Sequence, residues 1–420
     1  MTNVVEETKY KPANDNLWYC LATLYGEQPL EFPWDEKLAL ENRAVWNRWY
    51  ARVLSSEQRR NLLIHGFSES ELTPFSEEEQ SSICRDFATR TGLAEQLPPD
   101  PKTEIDFARV DFQQFIFFCG FLFPVAVNFS SARFAKGGDF NSSWFSRTAE
   151  FYAMTSPGNL GFSSVVFADR VDFGNATFFD SIGFHSARFL GPANFSSAKF
   201  LSLCIFDSAS FALGARFLNA EFAATAIFAH AKFETRAPDF RGAKMHEATE
   251  WHGIIWPPAA KDEDRAQDQV YTYERLKQEM ERLKKHEDEQ SFFRKELRAR
   301  RALARRWSGE WFLNYAYEVS SNYGSSILRP MVCLLALFLC GFIVFALDPF
   351  FNGAPMKIQE AAGLSFANIF SFLPIRREIN DTMIKGLSNV AQIVGVMQSL
   401  LGFILLFLLS LALRSRFRMR

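Results

Sequence analysis

The apolar positions of this chain follow three different periods in turn. The first stretch, to about residue 105, mixes helical patterns with Pro-containing breaks. In "ENRAVWNRWYARVLSSEQRRNLLIHG", Val45, Trp49, Val53 and Leu62 or Leu63 share one helical face. "TPFSEEEQ" reads as a helix start, with Ser76 as N-cap and Glu79 closing a capping box. "LPPDPKTE" (97–104) ends this α-helical N-terminal domain. From Phe107 the pattern changes, and phenylalanine recurs at gaps that alternate five and six. The early members are Phe107, Phe112, Phe117 and Phe123. The regular ladder runs Phe129, Phe134, Phe140, Phe145 and Phe151, then Phe162, Phe167, Phe173, Phe178, Phe184, Phe189, Phe195, Phe200, Phe206, Phe211, Phe217, Phe222, Phe228 and Phe233, with only Ser156 out of place between 129 and 233. Beyond "WPPAAKDED" comes a long charged helical segment, about 262–306, and then two uncharged apolar runs.

The five/six period excludes a helix. Positions i and i+5 lie about 140° apart on an α-helix, so the rings would form no stripe, and Gly137-Gly138, Pro157-Gly158 and Gly191-Pro192 would break it. The position two before the ring identifies the structure. It is small at Ala132, Ser143, Ala149, Ala176, Ala187, Ala198, Cys204, Ala209, Ala220 and Ala231, and residues two apart point to the same side of an extended chain. Each unit is therefore a short strand with one small and one large inward side chain, followed by a corner. Such units bury their faces only by stacking as a β-solenoid. Fives stack on fives only with an even number of faces, so the pattern predicts four faces, 22 residues per turn and an extra residue at two opposite corners, as a bulge or widened corner.

A small residue two before a central Phe, recurring every five residues, resembles the pentapeptide-repeat family. The resemblance covers about 107–256 and implies a right-handed quadrilateral β-helix, here as a Phe-centred variant with alternating spacing. Departures at Ser156, at the seven-residue step from Phe233 to Phe240, and at Met245 and Trp251 suggest a loop and a C-terminal taper. "FQQFIFFCGFLFPVAV" (112–127) is too short and Pro-broken for a membrane span and reads as the first, most apolar coil.

In the charged segment, Tyr273, Leu276, Met280 and Leu283 step by three, four and three, the seam of a helix lying on the solenoid or of an inter-subunit coiled coil. Arg300, Arg301, Arg305 and Arg306, with Trp307 and Trp311, form a basic-aromatic anchor suited to a membrane interface and anionic lipid. The runs 331–347 and 390–413 are long enough to cross a bilayer. Arginines crowd before the first and after the second, which predicts a two-span protein of a bacterial-type inner (plasma) membrane with both termini cytoplasmic. Between the spans, 361–375 has the length of an interfacial or re-entrant segment. This layout resembles a two-span pore module. No TVGYG-like run follows the short segment; "PIRREIND" does. Gln392, Gln398 and Ser410 would be costly against lipid, and are expected to pack between helices or to line a pore.

The expected organisation is thus a helical domain at 1–105, a solenoid at 106–258, a charged and aromatic linker at 259–325, and a membrane module at 326–420. Composition narrows the function. The chain has 46 basic and 48 acidic residues and 46 phenylalanines. Some pentapeptide-repeat proteins are acidic DNA mimics, but 129–256 holds as many basic as acidic residues, so neither mimicry nor a nucleic-acid partner is expected. Six scattered cysteines without a CxxC pair suggest reduced thiols. The first residues lack a signal-peptide pattern. No Walker, GxGxxG, GxSxG or HExxH motif occurs, and the histidines of "HEATEWH" are six apart, so no catalytic residue, metal or cofactor is expected. The expectation is a non-enzymatic membrane protein whose solenoid is a docking or oligomerisation scaffold, with homo-oligomers and an unidentified cytoplasmic protein as partners. The alternative is an ion channel or channel-like gate regulated by the solenoid.

Overall fold

A computed structural model of the protein describes residues 10–29, 34–352, 356–372 and 386–418. It divides into two units, Met1–Arg275 and Leu276–Arg420.

The first unit is built on a four-faced parallel β-solenoid. Its strands are two or three residues long and each pairs with the strand one turn away, giving one sheet of seven strands and three of six. The register is 22 residues, as in Ala149↔Val171 and Phe167↔Phe189. After the seven-residue step at Phe233–Phe240 it becomes 23, as in Arg216↔Asp239 and Glu221↔Lys244, so the added residue is absorbed without loss of pairing.

The alternation of five and six has a backbone cause. After one ring column, Phe129–Ser130–Ser131–Ala132 is a tight turn in which Ala132 N–H donates to the Phe129 carbonyl at 3.0 Å and Ser131 has φ 57°. A positive φ at the third position marks a type II turn. The same left-handed residue returns at Ser142, Ser164, Asn175, Ser186, Ser197, Ser208, Asn219 and His230, always two after a ring and always in a five-residue step. Six-residue steps take the wider corner. At some of these, consecutive backbones come so close that only glycine fits: a Cβ on Gly158 or Gly191 would run into the backbone of Lys136 or Asp169.

All nineteen ladder rings from Phe129 to Phe233 are buried. Rings of successive turns lie nearly parallel, with centroids 4.6 Å apart for Phe189–Phe211 and 5.2 Å for Phe173–Phe195. Face-to-face contact would need about 3.5 Å, whereas strand spacing imposes about 4.8 Å, so the rings are offset. Rings on opposite faces meet edge-on across the core, as in Phe195–Phe206 at 84°. Each buried Phe contributes about 1.5–3 kcal/mol.

Two details differ from the sequence reading. The early ladder member is Phe118, 1% exposed, rather than Phe117; with Phe118 the spacing from Phe107 to Phe129 alternates without error. Phe117 instead meets Trp34 edge-on at 5.4 Å. At Ser156 the coil continues without a loop, and the serine occupies the ring position with its hydroxyl donating to the Gly158 carbonyl at 2.6 Å.

Both ends of the solenoid are covered within this unit, which answers the problem of an open sheet edge. Lys11–Pro12 adds a parallel strand to Val110–Asp111. Helices α1 (Leu17–Ala22), α2 (Glu36–Tyr50), α3 (Ser56–Ile64) and α4 (Glu77–Thr91) follow, α4 opened by the Ser76/Glu79 capping box. Trp46 on α2 donates its indole N–H to the Leu122 carbonyl at 2.8 Å, and Asn47 accepts from Leu122 N–H and donates to the Gly120 carbonyl. At the other end Trp251 stacks on Phe228 and Trp256 on Phe233. The first part of α5 (Glu263–Arg282) then closes the coil, Thr272 donating to the Pro238 carbonyl and Arg275 to the Ala243 carbonyl.

In the second unit the charged segment turns once. Lys284 has φ 58°, Lys285 N–H donates to the Met280 carbonyl and Lys284 N–H to the Glu281 carbonyl, a Schellman closure with lysine in the place usually held by glycine. Helix α6 (His286–Leu303) runs back along α5, Lys277 meeting Glu296 at 2.6 Å. Helix α7 (Gly309–Ser321) starts at the Ser308 cap. Then come α8 (Leu328–Asn352), α9 (Ile358–Ile369) and α10 (Asn389–Arg418). The stretches Leu328–Pro349 and Asn389–Phe417 are long and apolar enough to cross a membrane, and only 17% of the most apolar part of each is buried.

Candidate functional site

Three places bring functional side chains together. The first is the membrane-type bundle. Helix α9 packs with α8 and α10 around Phe345, Ala361, Leu364 and Ala391. Gln398 is 1% exposed; its amide donates to Ser365 Oγ at 2.7 Å and to the Leu337 carbonyl at 3.1 Å, and Asn368 lies 3.5 Å from its oxygen. Gly341 leaves room for this amide, because a Cβ there would overlap it. At one end, Ser388 caps α10 while its N–H and hydroxyl both bond to buried Asp348. Of the three polar residues singled out in the sequence, Gln398 is inside this group; Gln392 and Ser410 lie on its outer surface, Gln392 donating to the Leu387 carbonyl. Of the expected short segment 361–375, residues 361–369 belong to α9 and 370–372 follow its end; residues 373–375 and "PIRREIND" lie outside the described residues, as do residues 1–9 and Arg420.

The second place is the basic-aromatic segment at the end of α6 and the start of α7. Arg300 is paired with Glu296 at 2.8 Å, and Arg301 with Glu318, which also receives Arg298 at 2.7 Å. Arg305, Arg306 and Trp307 remain exposed, Arg306 lying over the Trp307 ring. Trp311 stacks on Tyr315 with centroids 5.3 Å apart. Phe312 and Leu313 stand 61% and 71% exposed on the same helix, an apolar surface that the sequence reading credited only in part.

The third place was not anticipated. Along one face of the solenoid the outward residues Asp172, Asn194, Arg216 and Asp239 stand on successive turns. The last three of these, with Arg170 and Arg236 at the adjoining corner and α5 alongside, border a groove of about 460 Å³. Arg170 is held by Asp172 at 2.7 Å, Arg236 by Asp268 at 3.0 Å, and Arg241 by both oxygens of Asp239 at 2.9 and 2.7 Å. Burial raises the pKa of Asp239, but its bonds from Arg241 and the charge of Arg216 outweigh this and hold it below the usual carboxylate range. The signal that would have found the groove is the outward residue read every 22 positions, a column invisible to any local motif.

Elsewhere, His185 and His230 both approach Asp207, at 2.9 and 3.2 Å, on successive turns. No group of three or more His, Cys, Asp or Glu suited to a metal occurs among the described residues. His246 and His252 lie on the outside of the coil, next to inward Met245 and Trp251. The six cysteines are unbridged.

Residues 184–232 match a family model described as pentapeptide repeats (9 copies). The solenoid of this chain is a pentapeptide-repeat solenoid. The 22-residue register extends beyond the matched residues toward the N-terminus, and the pairing continues C-terminally at 23 residues. No curated protein and no solved structure matches the chain. The repeat explains the buried rings; the outward residues of the pentapeptide-repeat coil, which the packing leaves free, carry its individual character.

Proposed function

We propose that this protein is a non-enzymatic integral membrane protein whose cytoplasmic pentapeptide-repeat solenoid is a rigid docking and oligomerisation scaffold. The observation that carries this reading is the pairing, in one chain, of a solid Phe-filled coil with two helices whose apolar surface is largely uncovered. The coil interior is filled by rings and offers no room to a substrate, so its chemistry lies on its outer faces. The helices need lipid around them. Arginines flanking both spans favour a bacterial-type plasma membrane with both termini on the cytoplasmic side. Arg305, Arg306 and Trp307, exposed next to Phe312 and Leu313, suit contact with anionic lipid.

The test uses the full chain in membranes. Thiol labelling of single-cysteine variants reports the side of each terminus, and cross-linking in cells followed by size measurement in detergent reports partners and copies. A monomer that cross-links to nothing would remove the scaffold role.

One observation favours a second reading, a channel-like gate. Helix α9, 12 residues long, sits between the two spans and is tied to α10 through Ser365 and Gln398. Current recording on reconstituted protein separates the readings: conductance that changes in Gln398→Leu supports the gate, and a flat trace across voltages removes it.

A further inference from the structure

The groove on the solenoid holds more positive charge than its own carboxylates neutralise. Its lining has four guanidiniums, Arg170, Arg216, Arg236 and Arg241, against two carboxylates, Asp239 and Asp268; Asp172 and Glu150 act on Arg170 from outside the lining. Three of the arginines are pinned by carboxylates that use only one or two of the five N–H donors on each fork, so their remaining donors are fixed in direction. The Arg216 guanidinium makes no hydrogen bond or ion pair among the described residues, and Arg216 stands on the strand between Asn194 and Asp239. A solvated surface would disperse such charges. Here they border one cavity of about 460 Å³, within the size range of small-molecule sites.

The walls add a second kind of contact. Leu213 is 51% exposed at the rim, and the Tyr271 ring, 45% exposed, stands with Arg241 at 5.5 Å from its centroid. An exposed aromatic ring beside several guanidiniums provides a stacking surface next to an anion-binding one. A carboxylate is satisfied by a single fork, whereas several forks with spare donors match the three acceptor oxygens of a phosphate.

We propose that this groove is a binding site for a phosphate group, free or carried by a small organic molecule, with Arg216 as its principal ligand, Arg170 and Arg236 beside it, and Tyr271 against the organic part when there is one. The site lies wholly within the first unit and is independent of the membrane reading.

The experiment is calorimetric titration of the full chain in detergent with inorganic phosphate and, separately, with adenosine 5′-monophosphate. The expected result is saturable binding that weakens at least tenfold in Arg216→Gln, an exposed position at which the melting temperature should not move. Adenosine monophosphate binding tenfold more tightly than phosphate, with the advantage lost in Tyr271→Ala, assigns the site to an organic phosphate. Equal affinities assign it to the free anion, and either result supports the site. No saturable binding of either probe, or equal binding by wild type and Arg216→Gln, overturns the proposal.

Discussion

Met154 and Ser156 exchange the sizes that neighbouring coils assign to their positions. One turn earlier the pair is Ala132 and Phe134, one turn later Ala176 and Phe178; here the thioether fills the small place, fully buried, and the hydroxyl takes the ring place. The two lie on the same side of one strand, so Met154 supplies the volume that a ring at 156 would have given.

Restoring the ring alone should therefore overfill the coil. Ser156→Phe is expected to destabilise by about 1–3 kcal/mol, and Met154→Ala with Ser156→Phe to recover most of that loss. Melting temperatures of the two variants in the full chain decide it. A single variant at least as stable as wild type would show that Met154 does not occupy the ring's space.

Asn47 closes the first coil with its side-chain amide, accepting from Leu122 N–H at 2.8 Å and donating to the Gly120 carbonyl at 3.0 Å. Asn47→Leu leaves both backbone groups buried without these bonds, a cost of about 1–3 kcal/mol each before relaxation. Amide exchange at Leu122 should accelerate strongly while exchange near Phe195, several turns away, changes little. Equal protection at Leu122 in both proteins would mean that α2 does not seal this edge.

Gln398 is the polar centre of the helix group formed by α8, α9 and α10. Gln398→Ala should lower the melting temperature of the detergent-solubilised protein, because Ser365 Oγ and the Leu337 carbonyl lose their donor in an apolar setting, a loss of about 1–2 kcal/mol. Ser410→Ala, on the outer surface, should change it little. Equal effects of the two would contradict the packing.

Glu318 joins α6 to α7. Partial burial raises its pKa, but hydrogen bonds from Arg298 and Arg301 outweigh burial and hold it below the usual carboxylate range. A carboxylate with a depressed folded pKa contributes its stabilisation in full above the unfolded value, about 4.3, and loses it as pH falls through the folded value. The difference in melting temperature between wild type and Glu318→Gln should thus be constant near neutrality and shrink below about pH 4. A gap that stays constant into acid would show that these ion pairs add nothing.

The sequence alone determined the solenoid, because a strand with two inward side chains has no freedom to hide its period. Small-then-Phe every five or six residues dictated strands, and the alternation dictated four faces and the 22-residue register seen in Phe173, Phe195 and Phe217. The two apolar runs were equally plain, since length and lack of charge suffice to mark them. Phe117 misled because its neighbour Phe118 is also aromatic, and only the corner geometry tells which one turns inward. The tertiary structure alone decided what happens where chain segments distant in sequence meet. Trp46 and Asn47 reach a strand some 75 residues away, and nothing local to α2 announces that contact. Gln398, Gln392 and Ser410 look alike in sequence; packing against α9 puts only the first inside. The arginine groove is the clearest case. Its four guanidiniums come from three turns and its far wall from a helix, so each arginine reads singly as a solvated surface charge, and the stacking of turns makes them neighbours.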